Sequence, residues 1–193
     1  MTFIEIKISR KTLLVLNTSK TSVRLDNKPF PFQNKDEYIF DKNEIGGTAW
    51  ETAVPKQAID EVLEICLEKG IKPNKIIAID TLEYRLSQHF AARDAWLFIP
   101  QEPGLRLTTL HEGAPRGCHF ISNDPNFREK ELERIGKFEA AVPKQAILYK
   151  CGADYDWLRS FMTKLGAETE EFSPDMEKLR EICYAVPRER GSI

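Results

Sequence analysis

Few residues in this chain could do chemistry by their type and spacing. Asp80 closes the apolar run KIIAID (75–80). A carboxylate at the end of a buried strand is where a ribonuclease-H-like nuclease would begin to clamp its metal ions. Such a clamp needs a second carboxylate on a neighbouring strand, and the candidate first strands carry Leu16 and Phe98 at their centres instead. Asp80 is therefore read as the N-cap of a helix starting at Thr81, where its oxygens would accept backbone N–H bonds. Two of the three histidines, His111 and His119, flank the turn sequence GAPRG symmetrically, so an antiparallel hairpin would set them opposite each other. A metal would need a third ligand, and Cys118 would point to the other face, so no metal site is expected. The four cysteines, Cys66, Cys118, Cys151 and Cys183, lack C-x-x-C spacing and read as reduced, mostly buried thiols. No P-loop, G-x-G-x-x-G or nucleophile–base arrangement is present. The remaining candidate is a surface. NKPFPFQNKDEYIF (27–40) sets Phe30, Phe32, Tyr38 and Phe40 among prolines and polar residues, either as a partner-binding patch or, the favoured reading, as a lid over a sheet.

The chain that must position these groups has 193 residues, 41% hydrophobic and 30% charged, with mean hydropathy −0.41. That composition predicts a folded, soluble protein and excludes intrinsic disorder. Basic residues number 28 against 30 acidic, a formal charge of −2, so the basic excess usual for binding duplex nucleic acid or an anionic membrane is missing. No run approaches the roughly eighteen apolar residues that span a bilayer. MTFIEIKISR alternates like a strand and does not read as a signal peptide. A cytoplasmic protein with no nucleic-acid partner and no membrane insertion is expected.

Periodicity predicts strands at 3–9, 12–18 and 22–28, with a short fourth at 37–40 after the proline-rich PFPF. Gly46-Gly47 is read as a loop before a helix that opens at Pro55, carries the stripe Ala58, Ile59, Val62, Leu63 and Cys66, and ends at Gly70. A strand at 75–80 and a short helix lined by Leu82, Leu86 and Phe90 follow. The second half restarts with strands at 96–100, 105–112 and 117–122. A helix at 124–137 should bury Phe127, Leu132 and Ile135 behind a densely charged, solvated face. Next come a strand at 145–151 and a helix at 153–165 with Tyr155, Leu158, Phe161, Met162 and Leu165 inward. An edge strand (AETEEF), a last helix from Pro174 to about Cys183 and a mobile tail (186–193) complete the order.

Two successive βββαβα units, 1–92 and 93–185, make this an α/β protein with mixed sheets. Tandem ribonuclease-H-like units are the order of the compact actin-like (ASKHA) architecture. The heptamer AVPKQAI occurs at 53–59 and again at 141–147, expected to open a helix in the first place and enter a strand in the second, which fits coincidence or convergent use of one local turn better than a duplicated domain.

Val54 to Asp80 (VPKQAIDEVLEICLEKGIKPNKIIAID) resembles the segment joining the halves of PilM-like proteins, which with the cytoplasmic part of GspL are actin-like components of type IV pilus and type II secretion machines. VPK leads into a helix, then a Gly-x-x-Pro turn, then a strand ending near an acidic residue. His111-Glu112-Gly113 at a turn and Ile121-Ser122 after it are similar to that family's second-half hairpins, and Lys150-Cys151-Gly152-Ala153 before Lys164-Leu165-Gly166 to its adenosine loop. The likeness covers 54–171, with a shortened first half.

The resemblance implies a cytoplasmic scaffold or adaptor held at the inner face of a membrane through protein partners, such as the cytoplasmic tail of a membrane protein, with self-association left open. It also implies where nucleotide would bind: Thr18 and Ser19 in the turn Asn17-Thr18-Ser19, Gly104 in Pro100–Gly104, and Gly152. The first turn has hydroxyls but neither carboxylate nor glycine, and the second has two prolines where N–H donors are needed. A degenerate site without cofactor and without catalysis is expected. The alternatives are a Mg-ATP-binding phosphotransferase or ATPase and, behind it, a metal-dependent nuclease using Asp80.

Overall fold

The computed structural model describes residues 2–8, 11–17, 22–25, 30–45, 48–90, 94–101, 103–111, 114–138 and 143–184. Strands β1 (Thr2–Ile8) and β2 (Lys11–Asn17) form an antiparallel pair, Thr2 opposite Asn17. A short β3 (Ser22–Arg24) and a single 3-10 turn (Lys35–Glu37) precede β4 (Tyr38–Ile45) and β5 (Thr48–Pro55). Helix α1 (Lys56–Glu68), β6 (Lys75–Ala78) and α2 (Ile79–His89) complete the first half. Then come β7 (Ala95–Gln101), β8 (Gly104–His111), β9 (Ala114–Ser122), α3 (Arg128–Phe138) and β10 (Gln145–Tyr149). After a 3-10 turn (Ala153–Tyr155) the chain ends in α4 (Asp156–Lys164), β11 (Glu168–Phe172) and α5 (Met176–Tyr184).

The second half is one five-stranded sheet in the order β11-β10-β7-β8-β9. Its β7, β8 and β9 are antiparallel, and β10 runs parallel to both β7 and β11. That is the complete βββαβα unit predicted from periodicity. Alternation along its strands sorts the core into two layers. Leu97, Ile99, Leu110, Ile147 and Tyr149 face one way, toward α2 and α5; Trp96, Phe98, Leu105, Leu107 and Leu148 face the other, toward α3 and α4.

The first half departs from a simple copy. Its strands divide between a small sheet, β1-β2-β6, and a second, β3-β5-β4. The segment after Gly46-Gly47 is no loop but β5, paired with β4 over its whole length from Ile45↔Thr48 to Tyr38↔Pro55. A two-residue link carrying Gly-Gly between paired strands is a hairpin signal, since both positions favour φ > 0. Helix α1 packs Ala58, Val62 and Cys66 inward, whereas Leu63 of the expected stripe is 43% exposed. It stops where Gly70, at φ 65, lets the Ile71 N–H reach back to the Cys66 carbonyl and its own N–H to Leu67.

Helix α2 is where the molecule closes. Ile79, Leu82 and Leu86, with Phe90 beyond its end, share one core with Val15 and Ile77 of the small sheet, the inner face of the five-stranded sheet, and Leu179 and Ile182 of α5. Its other side meets β5 through the Trp50–Tyr84 ring pair. The expected Leu132, Ile135, Leu158, Phe161 and Met162 are buried in their helices, but Phe127 precedes α3 and is 56% exposed, and Leu165 lies on the surface. The first copy of AVPKQAI crosses from β5 into α1; the described part of the second enters β10.

Candidate functional site

Of the residues singled out from sequence for metal chemistry, Asp80 lies in a buried polar cluster on the side of α2 that faces β8. Asp80 is not an N-cap. The capping position is Ala78, and Asp80 sits in the first turn of α2, fully buried. One turn on, Glu83 is also fully buried, and the two carboxylates share a helix face because residues three apart lie on one side. Opposite them, Arg106 and Thr108 project from the same face of β8. Arg106 Nη1 lies 2.6 Å from Asp80 Oδ1, and its Nε donates to Glu83 Oε2 at 2.5 Å. Thr108 donates its hydroxyl to Glu83 Oε1, and the Cys118 thiol of β9 stands 3.9 Å from that same oxygen. Asp80 Oδ2 has no hydrogen-bond partner.

The electrostatics follow from one guanidinium facing two carboxylates out of water. Burial works against the Arg106 charge, but Glu83 and Asp80 outweigh it and hold the group firmly protonated. Burial raises Glu83 above the usual carboxylate range, and Asp80 adds to the push; Arg106 and Thr108 only partly oppose it. Burial likewise pushes the Cys118 thiol well up, with the Glu83 charge in the same direction, so Cys118 is a poor nucleophile. Sequence reasoning found Asp80 and missed Glu83, Arg106 and Thr108. The available signal was spacing: i,i+3 carboxylates on a helix and an i,i+2 Arg/Thr pair on an otherwise apolar strand.

The predicted nucleotide positions are not brought together as a set. Thr18 and Ser19 lie outside the described residues. Gly104 opens β8, two residues before Arg106, and its backbone approaches β9 so closely that a Cβ would run into the Ile121 carbonyl oxygen and the Phe120 ring. Its lack of a side chain serves sheet packing. Gly152 is exposed with open space around its Cα. Arg159 of α4 holds that loop, donating to the Cys151 carbonyl at 2.6 Å and the Gly152 carbonyl at 3.2 Å while it pairs with Glu171 and Asp156.

The histidines do not face each other. The strand β9 already begins at Ala114, inside the GAPRG read as the turn, and the resulting register puts His119 opposite Leu107 and His111 opposite Ala114. His111 instead stands 3.4 Å from Asp94. Among the described residues no group of three or more His, Cys, Asp or Glu side chains is arranged to hold a metal ion. All four cysteines are free thiols.

The four aromatic residues do come together. Phe32 stacks on Tyr38 at 4.2 Å and on Phe30 at 5.1 Å, and Phe40 closes the cluster against Phe30 at 5.7 Å. Tyr38 and Phe40 are two apart on β4, so their rings share a face of the sheet, and residues 30–32 lie across it. Phe30 is buried and carries the Arg24 guanidinium over its ring, but Phe40 is 38% exposed and its neighbour Ile39 48%. Among the described residues β4 pairs only with β5, leaving its other edge open. The segment thus covers the sheet and still presents apolar surface.

No known protein family matches the sequence, and no curated protein matches it. Solved structures do resemble the fold. One, from Bacteroides thetaiotaomicron VPI-5482, is described as a protein with an actin-like ATPase fold and unknown function; it superposes with a TM-score of 0.57 at 8% identity over 84% of this chain and 70% of that one. Another is the PilM-PilN type IV pilus biogenesis complex, with a TM-score of 0.58 at 14% identity over 88% of this chain and 74% of that one. The chain has the actin-like fold, with mixed α/β sheets, as the order of elements in the sequence predicts.

Proposed function

We propose that this chain is a non-catalytic actin-like scaffold in a membrane-associated pilus or secretion assembly, engaging a protein partner through the aromatic face of β4. The likeness to the PilM-PilN complex supports the class of assembly. Among the described residues no helix is long and apolar enough to cross a membrane, so in this reading the chain reaches the membrane through its partner. The observation that carries partner binding is the ring cluster of Phe30, Phe32, Tyr38 and Phe40 beside the edge of β4 that pairs with no strand among the described residues. Large aromatic side chains at a surface contribute more to protein association than any other apolar type, because they bury much area at little entropic cost. An open edge adds backbone donors and acceptors to which an extended tail can pair.

Absence of chemistry is the second half of the proposal, supported by the state of the carboxylates. Asp80 and Glu83 both spend their charge on Arg106. The glycine of the β7–β8 turn serves packing, and the Gly152 loop has its carbonyls tied to Arg159.

The test is binding of synthetic cytoplasmic tails of single-span pilus and secretion proteins to the wild-type chain and to Phe40→Ser and Phe32→Ala variants. We expect one tail to bind and to lose at least about tenfold in affinity in either variant, the scale of a hot-spot ring. Binding unchanged by both substitutions, or no tail bound alongside measurable ATP hydrolysis, would overturn the proposal and favour the ATPase reading.

A further inference from the structure

We infer that Arg106 is a built-in counter-cation, filling from within the chain the place a divalent ion would take between Asp80 and Glu83 and clamping α2 to the five-stranded sheet without a ligand. The sequence resemblance implies a nucleotide turn at Pro100–Gly104, between β7 and β8, and the β6–α2 junction is where the sequence offers a metal-clamping carboxylate. Here the junction carries Asp80, and the strand leaving the β7–β8 turn carries Arg106 two residues after Gly104. The guanidinium meets the two carboxylates through different nitrogens, at 2.6 Å and 2.5 Å, so it bridges them rather than pairing with one. Thr108 occupies the remaining oxygen of Glu83, whereas at Asp80 neither oxygen has a directed hydrogen bond, Oδ1 meeting Arg106 through charge alone and Oδ2 having no partner.

Both carboxylates have no side-chain exposure and Arg106 only 12%, so an ion arriving from solvent would have to displace a buried, doubly paired guanidinium. A buried ion pair is hard to break because the partner left behind keeps its desolvation cost. The location makes the clamp general: α2 touches all three sheets, and β8 is the strand of the large sheet that faces it here. The inference rests on the reading of the chain as independent of nucleotide, and its test is separable from that reading.

The experiment compares the wild-type chain, Arg106→Ala and the triple variant Arg106→Ala/Asp80→Asn/Glu83→Gln. Each is titrated with manganese(II) chloride or magnesium chloride alone, with melting temperature and bound manganese read by paramagnetic resonance. Arg106→Ala is expected to melt roughly 10 °C below wild type. It should bind one manganese ion and recover about 5 to 10 °C at a hundredfold excess over the dissociation constant. Wild type and the triple variant should show neither effect. If Arg106→Ala does not fold, recovery of native circular dichroism on refolding with manganese supports the assignment, and no recovery overturns it. A folded Arg106→Ala that binds no ion overturns it too, as does manganese binding by wild type that Asp80→Asn/Glu83→Gln abolishes. A wild-type response to Mg-ATP with the Arg106→Ala result as expected would count against the nucleotide-independent reading and leave the counter-cation standing.

Discussion

Folding raises the pKa of the Glu83 carboxyl, so its protonation is coupled to stability. Its folded value lies above 4.5, chiefly through burial, so between that pH and the raised value the native state binds more protons than the unfolded one. The stabilisation is complete below about pH 4.5 and is lost as pH rises through the folded value. We predict that Glu83→Gln, which cannot ionise, gains stability relative to wild type as pH goes from 4.5 toward neutral, checked by paired melting curves across that range. A difference that stays flat would mean Glu83 titrates as in water. Buried thiols act on the alkaline side. Burial pushes Cys151 up to about 12 and Cys183 up to about 11 from an ordinary 9.0. The unfolded chain therefore releases these protons first, and stability should fall as pH climbs past 9, with neither thiol reacting with a disulfide reagent at pH 8 until the chain unfolds. At this scale the sequence was only half legible. Asp80 stood out because it ends an apolar run. Glu83 and Arg106 look like ordinary solvent-side charges in TLEYRLSQ and LRLTTL; their spacing marks each pair on one face of its own element but does not reveal that these elements, 23 residues apart, bury them against each other.

Elements were read best where one periodicity ran uninterrupted. The apolar stripe of α2 and the alternation of β7 to β10 carried through to two well-sorted core layers. The hairpin of β4 and β5 was read as strand, loop and helix because TAWETAVP mixes small and polar residues with one aromatic, and only pairing shows that Ala49, Trp50 and Ala53 are core. The hairpin of β8 and β9 was placed correctly but its register was not. The chain turns between His111 and Ala114 rather than across GAPRG, which turn residues alone do not announce, and that offset separates the two histidines. Gly104 supplies the prediction proper to this scale. Gly104→Ala must push β9 away from β8, an overpacking cost of about 2 to 3 kcal/mol, seen as a melting temperature lower by roughly 5 to 10 °C. The aromatic cluster should behave oppositely. Phe40 is partly exposed, so Phe40→Ser should cost only about 1 kcal/mol of stability by denaturant titration while it weakens partner binding.

Among the described residues three sheets gather on one buried helix, α2. The small sheet, the large sheet and α5 share a continuous apolar core through α2, and the ion cluster fastens the other side of that helix to β8. The actin-like fold was legible in the order of elements, because the second half alone supplies a full βββαβα unit in one sheet. The split of the first half into two sheets was not, since strand order says nothing about which strand a short β3 will pair with. The central claim is that the scaffold works without nucleotide, and a thermal-shift titration of the wild-type chain with Mg-ATP and Mg-ADP, against an EDTA control, tests it most directly. The account predicts no shift at millimolar nucleotide; a saturable rise of about 5 to 10 °C, the mark of a ligand at a hundred times its dissociation constant, would contradict it.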